Sequence, residues 1–500
     1  MTYMNKMRGA VCIAAIFAGG AAQAEVTAAQ VWEDWKAQFA LYGDDSVSIG
    51  SEETTATTVA VRDIVLRMDD DLTEVRVFLG DVLFSERGDG TVSIAMAESY
   101  PITMTDDDGV IVTLLVSQSG LDLIVSGDTD DLRYAISADR YEIALGDVVN
   151  GDVTFTGDAS ATAHDISGIY TSRTGDLRDL SYALNVASVD LLVDIALPED
   201  DGGVITANGK ISDITAQADM TMPLDPDFEN PDVMIASGFS IDGGYSVASS
   251  AYVFDIEAEG GRVAGAVNTG AGRLNFRLNG DNLAYDAQTT DIAVNVLVPN
   301  FPVPIELQLA KYGLGFSMPL SRADEPADFG LNFDLADLTV NDVVWDMFDP
   351  AGVLARDPAT IALDVSGTAT PMVNLMNPEQ DMDLDSAEMP VALNTLVVNR
   401  LRLALAGALL TGTGNFTFDN SDLETFDGMP RPEGSALIEV TGLNRLMDNL
   451  VAMGLIPQDQ IMAGRMMLGM FARVTGDDQL ETRVEVNAQG HVIVNGQRLR

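Results

Sequence analysis

The sequence predicts a mainly β protein: a long antiparallel meander, its sheet curled or paired, with an N-terminal capping helix and a C-terminal helical pair. Three observations carry this. From about residue 44 to 320, apolar and polar residues alternate with period two, as a strand with one buried face requires. Turn dipeptides punctuate these runs at short intervals. Helical periodicity is confined to a few short segments, at 27–42, 342–348, 442–453 and 458–473. Hydrophobic residues make up 47% of the 500, too many for a disordered acidic tail.

The first 24 residues read as a secretory signal peptide. Lys6 and Arg8 form a short basic region, an apolar run extends from Ala10 to about Ala22, and Ala22-Gln23-Ala24 places small residues before Glu25. The run is shorter than the ~20 residues that span a bilayer. Cys12, the only cysteine, lies early in that run and would be removed with it. The mature chain is therefore expected in the periplasm, with no integral membrane segment and no disulfide.

Residues 25–43 follow as an amphipathic helix. Thr27 and Gln30 form a capping-box pair. Val31, Trp35 and Phe39 are spaced i, i+4, i+8, with Trp32 and Tyr42 beside them, and Gly43 suits the stop. The polar face carries Glu33, Asp34 and a single Lys36, which favours a helix covering a sheet over one lying on a membrane.

The β region runs over 44–320. Leu274, Phe276 and Leu278 alternate with Arg273, Asn275, Arg277 and Asn279. Ile292, Val294, Val296 and Val298 share a face, as do Ile305, Leu307 and Leu309. Asp89-Gly90, Asp108-Gly109, Asn150-Gly151, Asp201-Gly202, Asn208-Gly209, Asp242-Gly243 and Asn279-Gly280 read as hairpin turns, because these residues tolerate positive φ. No internal sequence repeat stands out. An apolar surface is expected along the inner face of 264–320, with few helices to cover it.

Pro- and acid-rich stretches at 222–232, 321–328 and 375–390 read as loops or boundaries, and 321–500 as a separate C-terminal β-rich region with short helices. Its elements are a strand at 331–335, a helix near 342–348, strands near 359–368 and 393–418, and helices at 442–453 and 458–473. A final hairpin sets Val484 and Val486 against Val492 and Val494.

In the segment 340–366, Trp345, Phe348-Asp349-Pro350, Leu354 and Arg356-Asp357-Pro358-Ala359-Thr360 resemble the central motif of the domain of unknown function 2125 family. The opening at 26–35, the Thr-Gly-Thr-Gly strand at 411–414 and the terminal Val-Asn-Gly hairpin are similar to that family as well. The resemblance implies an exported alphaproteobacterial protein and carries no activity or site. The C-terminal layout is more distantly similar to AsmA-like envelope proteins, which implies a β groove associated with lipid movement. Read on its own, the 340–366 block is a packed plug or a ligand gate, with Arg356 placed to pair with Asp349 or Asp357.

Composition excludes several function classes. With 77 Asp+Glu against 27 Lys+Arg, the formal net charge is −50, so there is no basic surface for nucleic acid or anionic head groups. Only His164 and His491 exist, and neither lies in a metal or triad motif. Gly203 to Lys210 is one residue too long for a phosphate loop and continues with Ile211. Asp381, Asp383, Asp385 and Glu388 space their oxygens as a calcium loop does, but Ser386 and Ala392 stand where the EF-hand needs Gly and Glu. An outer-membrane barrel would need more than 6% aromatics. The sequence therefore singles out no catalytic, cofactor-binding or metal residue. The expectation is a non-enzymatic envelope protein, structural or binding. The alternatives are a periplasmic carrier of lipid-like apolar molecules and a carboxylate-based hydrolase. Lipid-like molecules or envelope proteins are the partner classes left.

Overall fold

The computed structural model describes residues 26–500 apart from 40–45, 70–72, 151–152, 156, 198–201, 228–229, 300, 302 and 377–389. The chain opens with helix α1 (Ala28–Phe39). Strands β1 (Val47–Ser48), β2 (Ser51–Thr54), β3 (Thr58–Asp69) and β4 (Thr73–Glu86) follow. Next come β5 (Val92–Met96), β6 (Ser99–Asp106), β7 (Ile111–Ser119), β8 (Asp122–Asp128), β9 (Asp131–Asn150) and β10 (Val153–Phe155). Three long strands, β11 (Gly157–Thr174), β12 (Arg178–Leu197) and β13 (Gly203–Met222), precede α2 (Pro231–Ala236). Then come β14 (Ser240–Val247), β15 (Ser249–Ala258), β16 (Gly261–Thr269), β17 (Gly272–Leu278), β18 (Asn282–Leu297), β19 (Ile305–Pro319) and β20 (Ala327–Val340). Helix α3 (Asp342–Asp346) leads to β21 (Ala359–Pro371), β22 (Val391–Leu405), β23 (Ala408–Asp419) and β24 (Arg431–Thr441). The C-terminal pair α4 (Leu443–Ala452) and α5 (Gln458–Phe471) precedes β25 (Arg473–Gly476), β26 (Gln479–Val486), β27 (Val492–Val494) and β28 (Gln497–Arg498).

All described strands join one antiparallel sheet. Sequence-adjacent strands mostly pair, so the chain is a meander, and β20 pairs with β19 across residues 321–326. Twice, a long strand is followed by four half-length strands and then another long strand. β4 pairs with both β5 and β6, these pair with β8 and β7, and β9 closes the set by pairing with β7 and β8. β13 repeats this with β14 and β15, then β17 and β16, then β18. The recurrence is one of pairing topology, which residue-level similarity does not reveal.

A crease runs across the sheet and divides it into two halves. Along each long strand the apolar positions change parity at this line. On β12 they are Leu180, Tyr182, Leu184 and Val186, then Val189, Leu191, Val193 and Ile195. On β13 they are Ile205, Ala207 and Ile211, then Ile214, Ala216, Ala218 and Met220. A two-residue period alone would throw one set onto the opposite face. The extra step is absorbed by exposed aspartates with positive φ: Asp63 (57°), Asp165 (49°), Asp213 (50°), Asp291 (51°) and Asp337 (56°). On β4 the same place is held by Gly80 at 71°. Asp tolerates the left-handed region better than most residues, and one residue there acts as a bulge that restores the facing. One face of the sheet therefore stays apolar along both halves.

Among the described residues, that face is covered by a buried core cluster at its N-terminal end. Val31 and Trp32 of α1 pack on Val59, Val61 and Ile64 of β3, Val82 and Phe84 of β4, and Val92, Val125 and Leu132 beyond. The expected capping box forms: the Thr27 N–H donates to Gln30 Oε1 at 2.8 Å, and the Gln30 N–H donates to Thr27 Oγ1 at 3.3 Å. Tyr42 and Gly43 lie outside the described residues. Farther along, Leu274, Phe276, Leu278, Val294, Val296 and Leu307 share the apolar face as expected and are only half-buried. Leu331 and Ile361 on this face are 42% and 46% exposed, so no second layer covers them.

Two expected turns are corrected. Asn208-Gly209 lies inside β13 and Asp242-Gly243 inside β14. Their glycines serve close approach: a Cβ on Gly209 would run into the Tyr252 ring, and one on Gly243 into Ala218. At Asp89-Gly90 and Asp108-Gly109 the turns form, with Gly φ of 82° and 81°. The terminal hairpin pairs Val484 with Val494 and Val486 with Val492, as expected. Helix α5 leaves Met462, Met466 and Met470 more than 60% exposed.

Candidate functional site

The apolar face forms a deep concavity where the strands from β3 to β13 curl around α1. Leu66 and Met68 of β3 meet Tyr170 of β11, Leu180 of β12 and Met220 and Met222 of β13 around one cavity of about 610 Å³. β3 and β13 stand seven positions apart in the pairing order, so only a strong curl brings them together. Phe39 from the end of α1 completes the apolar wall. A second cavity of about 330 Å³, lined by Trp35, Leu79, Leu123, Tyr134 and Ile136, adjoins it across Gln38, Phe39 and Tyr170.

Helix α1 is held over these cavities by polar contacts along its length. The Ala28 N–H donates to Glu86 Oε1 at 3.2 Å, and Gln30 Nε2 to Thr129 Oγ1 at 2.7 Å. The Trp32 indole N–H donates to Glu52 Oε2 at 2.8 Å. The Tyr134 hydroxyl donates to Asp34 Oδ2 at 2.7 Å, and burial first, with the Asp34 charge second, pushes that phenol far above its ordinary pKa. Tyr134 is therefore a fixed neutral donor. Trp35 and Trp32 stand 5.2 and 5.6 Å from Phe84, ring to ring, and Tyr134 stands 5.4 Å from Tyr170.

Most polar groups in the cavity wall have internal partners. Gln38 donates to Asp34 at 2.7 Å, Ser46 donates to the Phe39 carbonyl at 2.8 Å, and Arg67 pairs with Asp69 and Glu74 at 2.9 and 2.8 Å. Arg178 differs: its Nε and Nη1 are buried and have no hydrogen-bond partner among the described residues. The wall is apolar over most of its area.

The residues weighed for chemistry lie apart. His164 sits on the half-exposed face of β11, with Nε2 2.9 Å from Asp190, which also pairs with Lys210 at 3.2 Å. His491 closes the final hairpin with Nδ1 3.3 Å from the Asn487 amide. Gly203 to Lys210 is strand, and the 381–388 acidic run lies outside the described residues. Among the described residues no three of His, Cys, Asp and Glu converge to hold a metal.

The 340–366 block is corrected in two details. Arg356 pairs with Asp342 and, at 2.6 Å, with Asp346, because α3 turns these carboxylates toward it. Asp349 is fully buried and instead accepts the N–H groups of Val353 at 2.9 Å and Leu354 at 2.7 Å. These backbone donors, Val353 foremost, hold its carboxyl below the usual carboxylate range. The Trp345 and Phe348 rings lie 5.1 Å apart, tilted by 51°, but Phe348 is 47% exposed, so the pair does not form a buried plug.

These features define a class: an open, curled antiparallel β-sheet protein with an apolar interior face and a helix seated in its curl. The DUF2125 family model, described as an uncharacterized protein conserved in bacteria, matches residues 194–497, and the chain belongs to that family. No curated protein and no solved structure matches it. Of the cavity wall, Met220 and Met222 fall inside the matched region, and Phe39, Leu66, Met68, Tyr170 and Leu180 precede it. No helix among the described residues is long and apolar enough to cross a membrane.

Sequence reasoning anticipated the apolar face and missed the cavity, because the curl joins residues more than 150 positions apart. It also missed the crease, although a signal was present. Val-Arg-Asp-Ile (61–64), Ala-His-Asp-Ile (163–166), Ile-Ser-Asp-Ile (211–214), Thr-Thr-Asp-Ile (289–292) and Leu-Ala-Asp-Leu (335–338) all place Asp before an apolar residue where the period slips from two to three.

Proposed function

We propose that this protein is a non-enzymatic, exported carrier that holds a lipid-like apolar molecule in its curled sheet. The observation that supports it best is the cavity of about 610 Å³ walled by Phe39, Leu66, Met68, Tyr170, Leu180, Met220 and Met222. Its size falls in the ~300–1,000 Å³ range of small-molecule sites. The apolar face continues beyond it, half-buried, through β17, β18 and β19, which offers a path for a long tail. Export to the periplasm rests on the Lys6, Arg8, Ala10–Ala22 and Ala22-Gln23-Ala24 pattern. A hydrolase reading has less support, since among the described residues no carboxylate lines the cavity.

The test is uptake of the neutral dye 1-N-phenylnaphthylamine by the purified full chain, followed by displacement with oleyl alcohol. Saturable fluorescence enhancement that oleyl alcohol reverses is expected. Absence of saturable dye uptake, with the far-ultraviolet spectrum of a folded β protein, would refute the carrier reading.

A further inference from the structure

We infer that the cavity selects an amphiphile with an anionic head, a carboxylate or a phosphate on a long apolar tail, and that Arg178 receives the head. This rests on the carrier reading and gives it a ligand class. Arg178 opens β12 and pairs in register with Thr174 of β11 and Met222 of β13. It shares parity with Leu180 and Tyr182, so its side chain stands on the apolar face and lines the cavity. Asp179 faces the other way and accepts the Thr221 hydroxyl at 2.8 Å, and Asp176 is exposed in the preceding turn. Asp131, close by on β9, is engaged by Arg173 at 3.0 Å.

A second unpartnered group lies beside the first. Ser172, 2% exposed, pairs in register with Leu180, one same-face step along β11 from Thr174. Its Oγ has no hydrogen-bond partner among the described residues, as is true of Arg178 Nε and Nη1. Buried polar groups in native proteins are nearly always satisfied, and buried guanidinium N–H groups without a partner are unfavourable. Arg178 in the cavity wall, with Ser172 near it on the same face, gives a polar terminus for an apolar ligand, since the other polar groups of the wall, Gln38, Ser46 and Arg67, already have partners. Guanidinium and hydroxyl both donate to anionic oxygens, and charge-assisted bonds of this kind discriminate against a neutral head by about 10- to 100-fold.

The experiment compares displacement of 1-N-phenylnaphthylamine by oleate, 1-oleoyl-lysophosphatidate and oleyl alcohol, in the wild-type chain and in Arg178→Met. In the wild type, at least one anionic ligand should bind about 10- to 100-fold more tightly than the alcohol, and the tighter of the two identifies the head. Arg178→Met should bring that preference to within about threefold and leave alcohol binding unchanged. Without ligand, the variant should melt no lower than the wild type, since it loses two buried donors that have no partner among the described residues. Equal binding of all three ligands by the wild type would overturn the head-group assignment and leave the carrier reading standing. So would a preference retained by Arg178→Met, or a fall in its melting temperature of more than about 5 °C. Failure of every ligand and the dye to bind would overturn both.

Discussion

Asp213 offers the sharpest test of how one sheet keeps a single apolar face across its crease. Its side chain is exposed and its φ is 50°, so its role is the backbone step rather than a contact. Asp213→Gly should be nearly neutral, within about 1 kcal/mol, because Gly accepts positive φ freely. Asp213→Val should lose about 1–2 kcal/mol, since a β-branched residue is disfavoured there. Deleting Asp213 should be far worse. Ile205, Ala207 and Ile211 would exchange faces with Thr206, Asn208 and Lys210, and the 3.2 Å Lys210–Asp190 pair would break. The two isoleucines are half-buried, so each loses about 1 kcal/mol. Each of the three polar side chains costs about 1 kcal/mol or more on the apolar face. The total, about 5 kcal/mol, rivals the stability of an ordinary domain. Urea midpoints from far-ultraviolet circular dichroism should rank wild type and Asp213→Gly together, then Asp213→Val, then the deletion. A deletion no worse than Asp213→Val, or a Gly variant as unstable as the Val variant, would refute the role given to these aspartates.

Three further outcomes are expected. Trp32→Ala empties the space between α1, β3 and β4 and should destabilise the N-terminal end by about 3–5 kcal/mol, measured by loss of protease resistance of residues 26–140. Leu180→Trp should fill the cavity and lower dye uptake at least fivefold with no change in the circular dichroism spectrum. Acid should unfold the C-terminal region through carboxylates held low by their donors: Asp349 by the Val353 N–H, Asp419 by the Ser421 hydroxyl and Asp422 by the Thr425 N–H. Their stabilisation is complete above the unfolded value near pH 4 and is lost as pH falls through the lower folded values, so an acid titration of Asp349→Asn should show a shallower loss than the wild type.

Local alternation made the strands legible, since one buried face at a two-residue period leaves a direct mark on the text. The capping box at Thr27 and Gln30, the two C-terminal helices and the final Val hairpin were legible for the same reason: their determinants lie within a few residues. Asn208-Gly209 and Asp242-Gly243 misled because glycine serves close packing as readily as it serves turns, and only the neighbours Tyr252 and Ala218 decide which. The crease was written as Asp before an apolar residue five times over, but each occurrence reads as noise in the alternation until the partner strands slip together. The pairing of Arg356 with Asp342 and Asp346 depended on the turn of α3, and the cavity on a curl through eight strand positions. No short-range pattern encodes that curl. Ser172 and Arg178 likewise become conspicuous only when each is seen to lack a partner among apolar neighbours.

Native mass spectrometry of the full chain, purified from its producing cells without detergent, tests the central claim most directly. A carrier with this cavity should retain a co-purifying amphiphile, seen as a discrete added mass that collisional activation removes and organic extraction recovers, and Leu180→Trp should lack it. A wild-type mass equal to the polypeptide alone, together with no uptake of oleate or oleyl alcohol when either is supplied, would contradict the account.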